Sequence, residues 1–208
     1  MIVKEKIMNT ELKHLTALYS SIIKNNDRTN AEKILDLYDK LEKKELNISF
    51  SGHFSAGKSS MINALMGEEI LPNSPIPTSA NIVKVNSGEG LARVYFKDDE
   101  PVEYDEPYDL DMIKNYSKDK DSIRKIDIST KKPIIPEGSS IIDTPGIDAA
   151  DDADRVMTES SLHIVDVLLY VMDYNHVQSE VNLQFLTSIQ EKNIPFYIII
   201  NQIDKHDE

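Results

Sequence analysis

The nine residues Gly52–Ser60 read Gly-His-Phe-Ser-Ala-Gly-Lys-Ser-Ser and decide the fold of this chain. A glycine followed after four residues by Gly-Lys-Ser is the pattern whose backbone N–H groups surround the phosphates of a nucleotide. In this pattern Lys58 reaches the β- and γ-phosphates and the Ser59 hydroxyl binds Mg²⁺. We assign nucleotide binding to the whole loop: Gly52, His53, Phe54, Ser55, Ala56, Gly57, Lys58, Ser59 and Ser60.

The flanks of the loop support this assignment. Leu46, Ile48 and Phe50 alternate with polar residues and predict a strand that enters the loop. Residues 60–66 predict a helix that ends at Gly67, and the helix N-terminus favours phosphate. We expect the His53 ring to face solvent rather than the phosphates.

Two later segments have the character of a nucleotide switch. Asp143-Thr144-Pro145-Gly146 follows an apolar pair, so a strand ending there would place the Asp143 carboxylate near the Mg²⁺ hydration shell. Gly146 would offer its backbone N–H to a γ-phosphate and can change conformation freely.

Asn201-Gln202-Ile203-Asp204 follows the apolar run 195–200. An acidic side chain there can accept from the two N–H donors on the edge of guanine, and adenine lacks that pair. Asn201, Gln202 and Asp204 are therefore assigned to the base. All three motifs follow predicted strands, and the carboxyl ends of parallel strands form the ligand edge of an α/β sheet.

The three motifs together resemble those of a GTPase, and the residues around them resemble the dynamin superfamily. The stretches GHFSAGKSSMINALMG and LPNSPIPTSANIVKV are most like bacterial dynamin-like proteins, and the resemblance covers about residues 46–204. It implies GTP or GDP as ligand and Mg²⁺ held by Ser59, Thr78 and Asp143, with Thr78 as the switch threonine. It also implies that Ser55 helps to hold a monovalent cation, which makes Lys58, Ser55 and Thr78 the catalytic set.

Two positions depart from the dynamin pattern. Phe54 stands where dynamins carry a glutamine that helps to position the attacking water, and phenylalanine cannot orient water. Gln202 replaces the usual lysine of the base motif, and its shorter stem packs less over a purine. The first departure bears on the hydrolysis rate and the second on guanine affinity.

The chain divides near residue 45. Apolar stripes in 7–22 and 34–41 predict a helical hairpin over residues 1–44, with a polar turn at 25–30. By the resemblance, this hairpin belongs to a small bundle that reports nucleotide state. Residues 45–208 are expected to form a dynamin-type GTPase domain that lacks the strand and helix that usually follow the base motif.

We predict an α/β fold of P-loop GTPase type, with three layers and a mostly parallel central sheet. Asp143 follows Thr78 by 65 positions, a longer separation than a minimal small GTPase needs. They contain two predicted strands at 81–85 and 92–96, a helix over 106–124 and a strand at 126–129. This extension suits the enlarged GTPase domain of dynamins.

Composition excludes several classes. The net charge of −13 argues against nucleic-acid binding and against a basic membrane-docking face. The absence of cysteine excludes disulfides and fits a cytoplasmic protein. No apolar run is long enough to span a bilayer. Any membrane contact, peripheral to the bilayer, is expected to come from regions outside this chain.

The sequence therefore predicts a Mg²⁺-dependent GTPase whose nucleotide-bound form pairs with a second copy of itself, with membrane remodelling as the implied role. Two alternatives remain. A GTP-dependent interaction module would bind nucleotide with negligible hydrolysis, and single-turnover GTP hydrolysis separates it from the enzyme. An ATP-dependent P-loop enzyme is separated by competition between GTP and ATP.

Overall fold

The computed structural model describes residues 2–53, 55–71, 81–119, 122–131, 135–146 and 161–205. The chain divides into two compact units, Met1–Leu46 and Asn47–Glu208.

The first unit is a pair of helices, α1 (Ile2–Lys24) and α2 (Arg28–Lys43). Asp27 begins the second helix, because its carboxylate accepts a hydrogen bond from the Asn30 backbone N–H at 3.1 Å. The two helices form an apolar groove whose leucines come from both of them. These leucines are Leu15, Leu18, Leu37 and Leu41.

The second unit is built on one eight-stranded sheet. Its strands are β1 (Leu46–Gly52), β2 (Ile82–Ser87), β3 (Leu91–Phe96), β4 (Val102–Asp105), β5 (Ile123–Thr130), β6 (Ser139–Asp143), β7 (Val167–Asp173) and β8 (Phe196–Asn201). Within the described residues of this unit, the helices are α3 (Lys58–Met66), α4 (Leu110–Tyr116) and α5 (Glu180–Glu191), with short 3₁₀ turns at Leu162–Ile164, Tyr174–His176 and Ile203–Lys205. The strand order is β4-β3-β5-β2-β6-β1-β7-β8.

The sheet combines a parallel block with an antiparallel extension. Strand β7 pairs in parallel with both β1 and β8, and β2 pairs in parallel with β5. Antiparallel pairing joins β2 to β6 and joins β3 to both β4 and β5. The α/β architecture expected from the sequence is confirmed.

Two apolar clusters fill the core of this unit. The larger one includes Phe50 of β1, Ile62 of α3 and Val85 of β2, and it extends under the antiparallel strands. The smaller one lies between β7 and α5, where the rings of Tyr170 and Phe185 stack with centroids 5.3 Å apart. Burial on this scale supplies most of the driving force that holds α3 and α5 on the sheet.

The extension differs from the sequence prediction in one element. The helix predicted over 106–124 is wrong, because α4 covers only Leu110–Tyr116 and the chain is already in β5 at Ile123. The Asp109 carboxylate accepts from the backbone N–H groups of Asp111 and Met112 and so fixes the late start. Ile123 is fully buried and pairs with Phe96 of β3, so strand pairing overrides local helix propensity.

Strand β4 was not predicted. Its four residues form an edge strand and are mostly exposed. They therefore show no alternation of buried and exposed side chains, the pattern of a half-buried strand. None of the helices in the described part of the chain is both long and apolar enough to cross a bilayer.

Candidate nucleotide site

The site lies where several strands end together. Strand β1 ends at Gly52, opposite Val171 of β7, and Asp173 at the end of β7 lies opposite Asn201 at the end of β8. Strand β6, next to β1 in the sheet, ends at Asp143. The carboxyl edge of the parallel block therefore holds all three sequence motifs, as α/β sheets do for their ligands.

Close packing makes glycine necessary at the start of the loop. Gly52 has a φ of 144°, and a Cβ atom there would collide with the carbonyl oxygen of Val171. At Gly57, φ is 92° and a Cβ would lie 2.5 Å from Asn201 Nδ2. Both glycines let the loop backbone approach its neighbours more closely than any other residue could.

Lys58 is fixed at the first position of α3. Only 7% of the residue is exposed. Its ammonium donates to the carbonyl oxygens of Gly52 at 3.0 Å and His53 at 2.7 Å. Because Lys58 is tied to the last residue of β1 and to the residue after it, its charge is held at the start of the loop, whose helix N-terminus favours an anion.

Ser59 and Asp143 form an oxygen pair beside the lysine. The Ser59 hydroxyl donates to Asp143 Oδ2 at 2.9 Å, and the Asp143 side chain is buried. Thr144 anchors the end of β6, since its hydroxyl donates to the Phe50 carbonyl at 2.9 Å. A hydroxyl and a carboxylate at this spacing are hard oxygen donors of the kind that Mg²⁺ prefers, so these residues fit the ion.

The base motif packs on the phosphate loop. Asn201 Nδ2 donates to the Ala56 carbonyl at 2.9 Å, and Gln202 Nε2 donates to the Ser55 carbonyl. The Gln202 amide therefore supports the loop backbone, a contact that the sequence prediction of a purine-facing stem did not include. Asp204 lies in the 3₁₀ turn that follows, and it is exposed.

His53 does not face solvent, so that expectation is wrong. The residue is only 8% exposed, and its Nε2 lies 3.0 Å from the Ser179 hydroxyl at the start of α5. Ser179 was not selected from the sequence. A serine before Glu180 is a recognisable helix start. Its contact with a loop 126 positions earlier in the chain has no sequence signal.

The remaining assigned residues divide into two groups. Ser55 and Ser60 are exposed on the loop, and Gly146 is buried three residues after β6. Phe54 and Thr78 lie outside the described residues, so their assigned roles rest on the sequence alone. Among the described residues, no group of three or more histidine or acidic side chains could hold a metal ion by itself.

Comparison with known proteins shows the family of this chain. The model of the dynamin family matches residues 48–204, which include the loop, Asp143 and the base motif. The chain belongs to the dynamin family. The matched residues lie within the second unit, which carries the dynamin-family GTPase domain.

Two curated relatives and one solved structure illustrate the similarity. The chain is 45% identical to Dynamin-like protein A of Bacillus subtilis over 199 residues, which is 95% of this chain and 17% of that protein. It is 26% identical to Dynamin-like protein 1 of Campylobacter jejuni over 219 residues, 86% of this chain and 30% of that protein. The chain thus spans less than a third of either relative.

The solved structure is that of an oligomerised bacterial dynamin pair described as sensing and tethering membranes over a long range. The similarity has a TM-score of 0.63 at 22% identity and covers 98% of this chain and 34% of the other. At that identity the match shows the fold, which confirms the expected GTPase architecture.

Proposed function

We propose that this chain binds GTP and hydrolyses it with Mg²⁺. The observation that carries the proposal is the convergence of three groups on one loop: the Lys58 ammonium, the Ser59–Asp143 oxygen pair and the Asn201–Ala56 contact. A lysine, a hard-metal ligand pair and a base motif around one phosphate loop are the parts that phosphoryl transfer needs.

Each residue has a role that its chemistry supports. Lys58 and the backbone N–H groups of the loop stabilise negative charge on the transferring phosphoryl group. Ser59 and Asp143, with Thr78, would hold Mg²⁺, and the ion would supply positive charge against the charge that develops on the phosphates. Ser55 contributes to a monovalent cation site, and Gly146 contacts the γ-phosphate. Catalysis rests on positioning and electrostatics, so no side chain here forms a covalent intermediate.

Base selectivity is proposed to come from Asp204. Replacing Asp204 with asparagine removes the carboxylate that accepts from the two guanine N–H donors, and we expect GTP-over-ATP preference to fall by about 1–3 kcal/mol, by analogy with bidentate base readout. Gln202→Lys should strengthen binding of both nucleotides, because a longer, charged side chain can hold the Ser55 carbonyl and still cover the base.

Competition between GTP and ATP against a fluorescent guanine nucleotide measures this preference. Asp105→Asn on β4 removes an equally exposed carboxylate away from the phosphate loop and serves as the matched control. If GTP preference is the same in Asp204→Asn and in the unmodified protein, the base is read elsewhere.

We also propose that the GTP-bound form pairs with a second copy across the nucleotide face. Phe54 cannot position water, and the phosphate loop contains no arginine, so a second copy is a source of missing groups. The solved bacterial dynamin relative is an oligomerised pair that tethers membranes, which supports self-association and a peripheral membrane role for the protein of which this chain is part.

We expect GTP hydrolysis per molecule to rise with protein concentration. The acidic chains repel each other, so moderate salt should promote pairing by screening. Light scattering and specific activity are measured across a concentration series with GTP, GDP and a transition-state analogue. Constant specific activity, with a monomer in every nucleotide state, would contradict pairing across the site.

Residues 1–44 are proposed to act as a bundle-like helical element and 45–208 as the GTPase domain. The apolar α1–α2 groove can itself promote association, so the concentration series includes a chain that lacks residues 1–44. Pairing that disappears with this deletion in all nucleotide states belongs to the helices and not to the nucleotide face.

A GTP-dependent interaction module with negligible hydrolysis is the second candidate. Phe54 stands where dynamins carry the glutamine that positions water, and this favours the interaction module. This candidate shares every binding residue with the enzyme and differs only in turnover, so a hydrolysis rate separates the two.

A further inference from the structure

His53 has two polar groups that contact different parts of the molecule. Its backbone carbonyl accepts from the Lys58 ammonium at 2.7 Å and from the Ala56 N–H at 3.3 Å. Its ring reaches the other way, and Nε2 lies 3.0 Å from the Ser179 hydroxyl. Because the residue is 8% exposed, both contacts lie in a largely water-free environment.

The Ser179 end of this contact is rigid. The Ser179 hydroxyl oxygen accepts from the Asn182 backbone N–H at 3.3 Å and begins α5. The fully buried Asn182 side chain accepts from the Tyr170 hydroxyl at 2.6 Å and donates to the His176 carbonyl at 2.7 Å. Asn182 thus ties the start of α5 to β7 and to the turn before it, and the Ser179 backbone N–H also donates to the His176 carbonyl at 3.2 Å.

A serine hydroxyl can accept one hydrogen bond and donate another. With Asn182 supplying the first, the Ser179 O–H is able to donate to His53 Nε2. This arrangement holds the imidazole, and with it the peptide whose carbonyl faces Lys58.

We propose that His53 is a positioning residue for Lys58, which it orients by fastening the phosphate loop to the first residue of α5 through Ser179. The proposal rests on the proposed GTP binding and adds a residue pair to it. Without the Ser179 contact, the His53 peptide is held less firmly, and the 2.7 Å contact of its carbonyl with the lysine weakens.

Three single variants and one double variant test the pair. His53→Leu removes the ring nitrogen, and Ser179→Gly removes the hydroxyl while keeping a residue that begins helices well. Each should weaken GTP and GDP binding about three- to tenfold, the effect of one hydrogen bond. The double variant should be no weaker than the worse single variant, because both changes break the same contact. His53→Gln keeps a polar group near the hydroxyl and should recover most of the affinity.

A structural role alone predicts something different. Asp109→Ala removes the residue that begins α4, away from the loop, and serves as the matched control for loss of a helix cap. It should lower the melting temperature and leave nucleotide affinity unchanged. Additive losses in the His53–Ser179 double variant, or full affinity in folded His53→Leu, would overturn the proposal.

Hydrogen exchange of the amides in 52–60 provides a second readout that needs no nucleotide. Exchange should accelerate in His53→Leu and Ser179→Gly and stay unchanged in Asp109→Ala. If the unmodified protein binds no GTP, the proposed function fails, and the exchange rates still decide whether His53 fastens the loop. Equal exchange in all four proteins would contradict it.

Discussion

Replacing Lys58 with alanine is expected to abolish measurable GTP binding. The lysine ammonium is buried at the mouth of the loop, where two carbonyl oxygens fix it beside the N-terminus of α3. Removing one partner of a buried charge pair costs roughly 2–5 kcal/mol, or about 30-fold to several thousandfold in affinity. Calorimetric titration with GTP and GDP measures the loss.

Lys114→Ala is the matched control for this variant. Lys114 lies on α4 with its side chain mostly buried and its ammonium 3.8 Å from an Asp111 carboxylate oxygen. The substitution therefore removes a comparable lysine away from the loop. Its GTP affinity should equal that of the unmodified protein. Unchanged affinity in a folded Lys58→Ala protein would contradict the phosphate-loop assignment.

Gly52→Ala is expected to destabilise the GTPase domain by about 3 kcal/mol or more, because strain and overpacking act together. The added Cβ would collide with the Val171 backbone carbonyl, which cannot move without breaking the β1–β7 pairing. The backbone also has a φ of 144°, which a non-glycine residue rarely adopts. For a domain of this size the melting temperature should fall by roughly 6–12 °C.

Gly67→Ala separates strain from collision. Gly67 ends α3 with a φ of 68°, and a Cβ there would meet nothing within 4 Å. This variant should therefore cost only about 1 kcal/mol. Thermal unfolding followed by circular dichroism compares the two variants. Equal melting temperatures would mean that the close β1–β7 approach at Gly52 is not required.

The elements around the loop could be predicted because local signals agree with the fold. Residues 46–50 alternate between apolar and polar side chains and lie in β1. The loop has the fixed spacing of a glycine, four residues and Gly-Lys-Ser, and Gly67 ends α3 as expected. Asp143 and Asn201 are the last residues of their strands, and the sheet brings these strand ends to one edge. A few fixed residues on a regular sheet were therefore enough to place Lys58, Asp143 and Asn201 at one edge.

What could not be predicted depends on tertiary contacts. Ile123 has helix-compatible neighbours, but full burial and pairing with Phe96 of β3 place it in β5. The His53–Ser179 contact joins residues 126 positions apart, and no sequence pattern around either residue predicts contact with the other. Gln202 looked like a weakened purine contact, and only the folded loop provides the Ser55 carbonyl as its partner.

GTP hydrolysis under single-turnover conditions, with the protein in excess, tests the proposed function most directly. Release of radiolabelled phosphate is followed with Mg²⁺, with EDTA, and with ATP in place of GTP, alongside Lys58→Ala. We expect phosphate release from GTP that requires Mg²⁺ and Lys58 and that is much slower from ATP. GTP that binds tightly but is not cleaved at any protein concentration would contradict an enzyme and favour the interaction module.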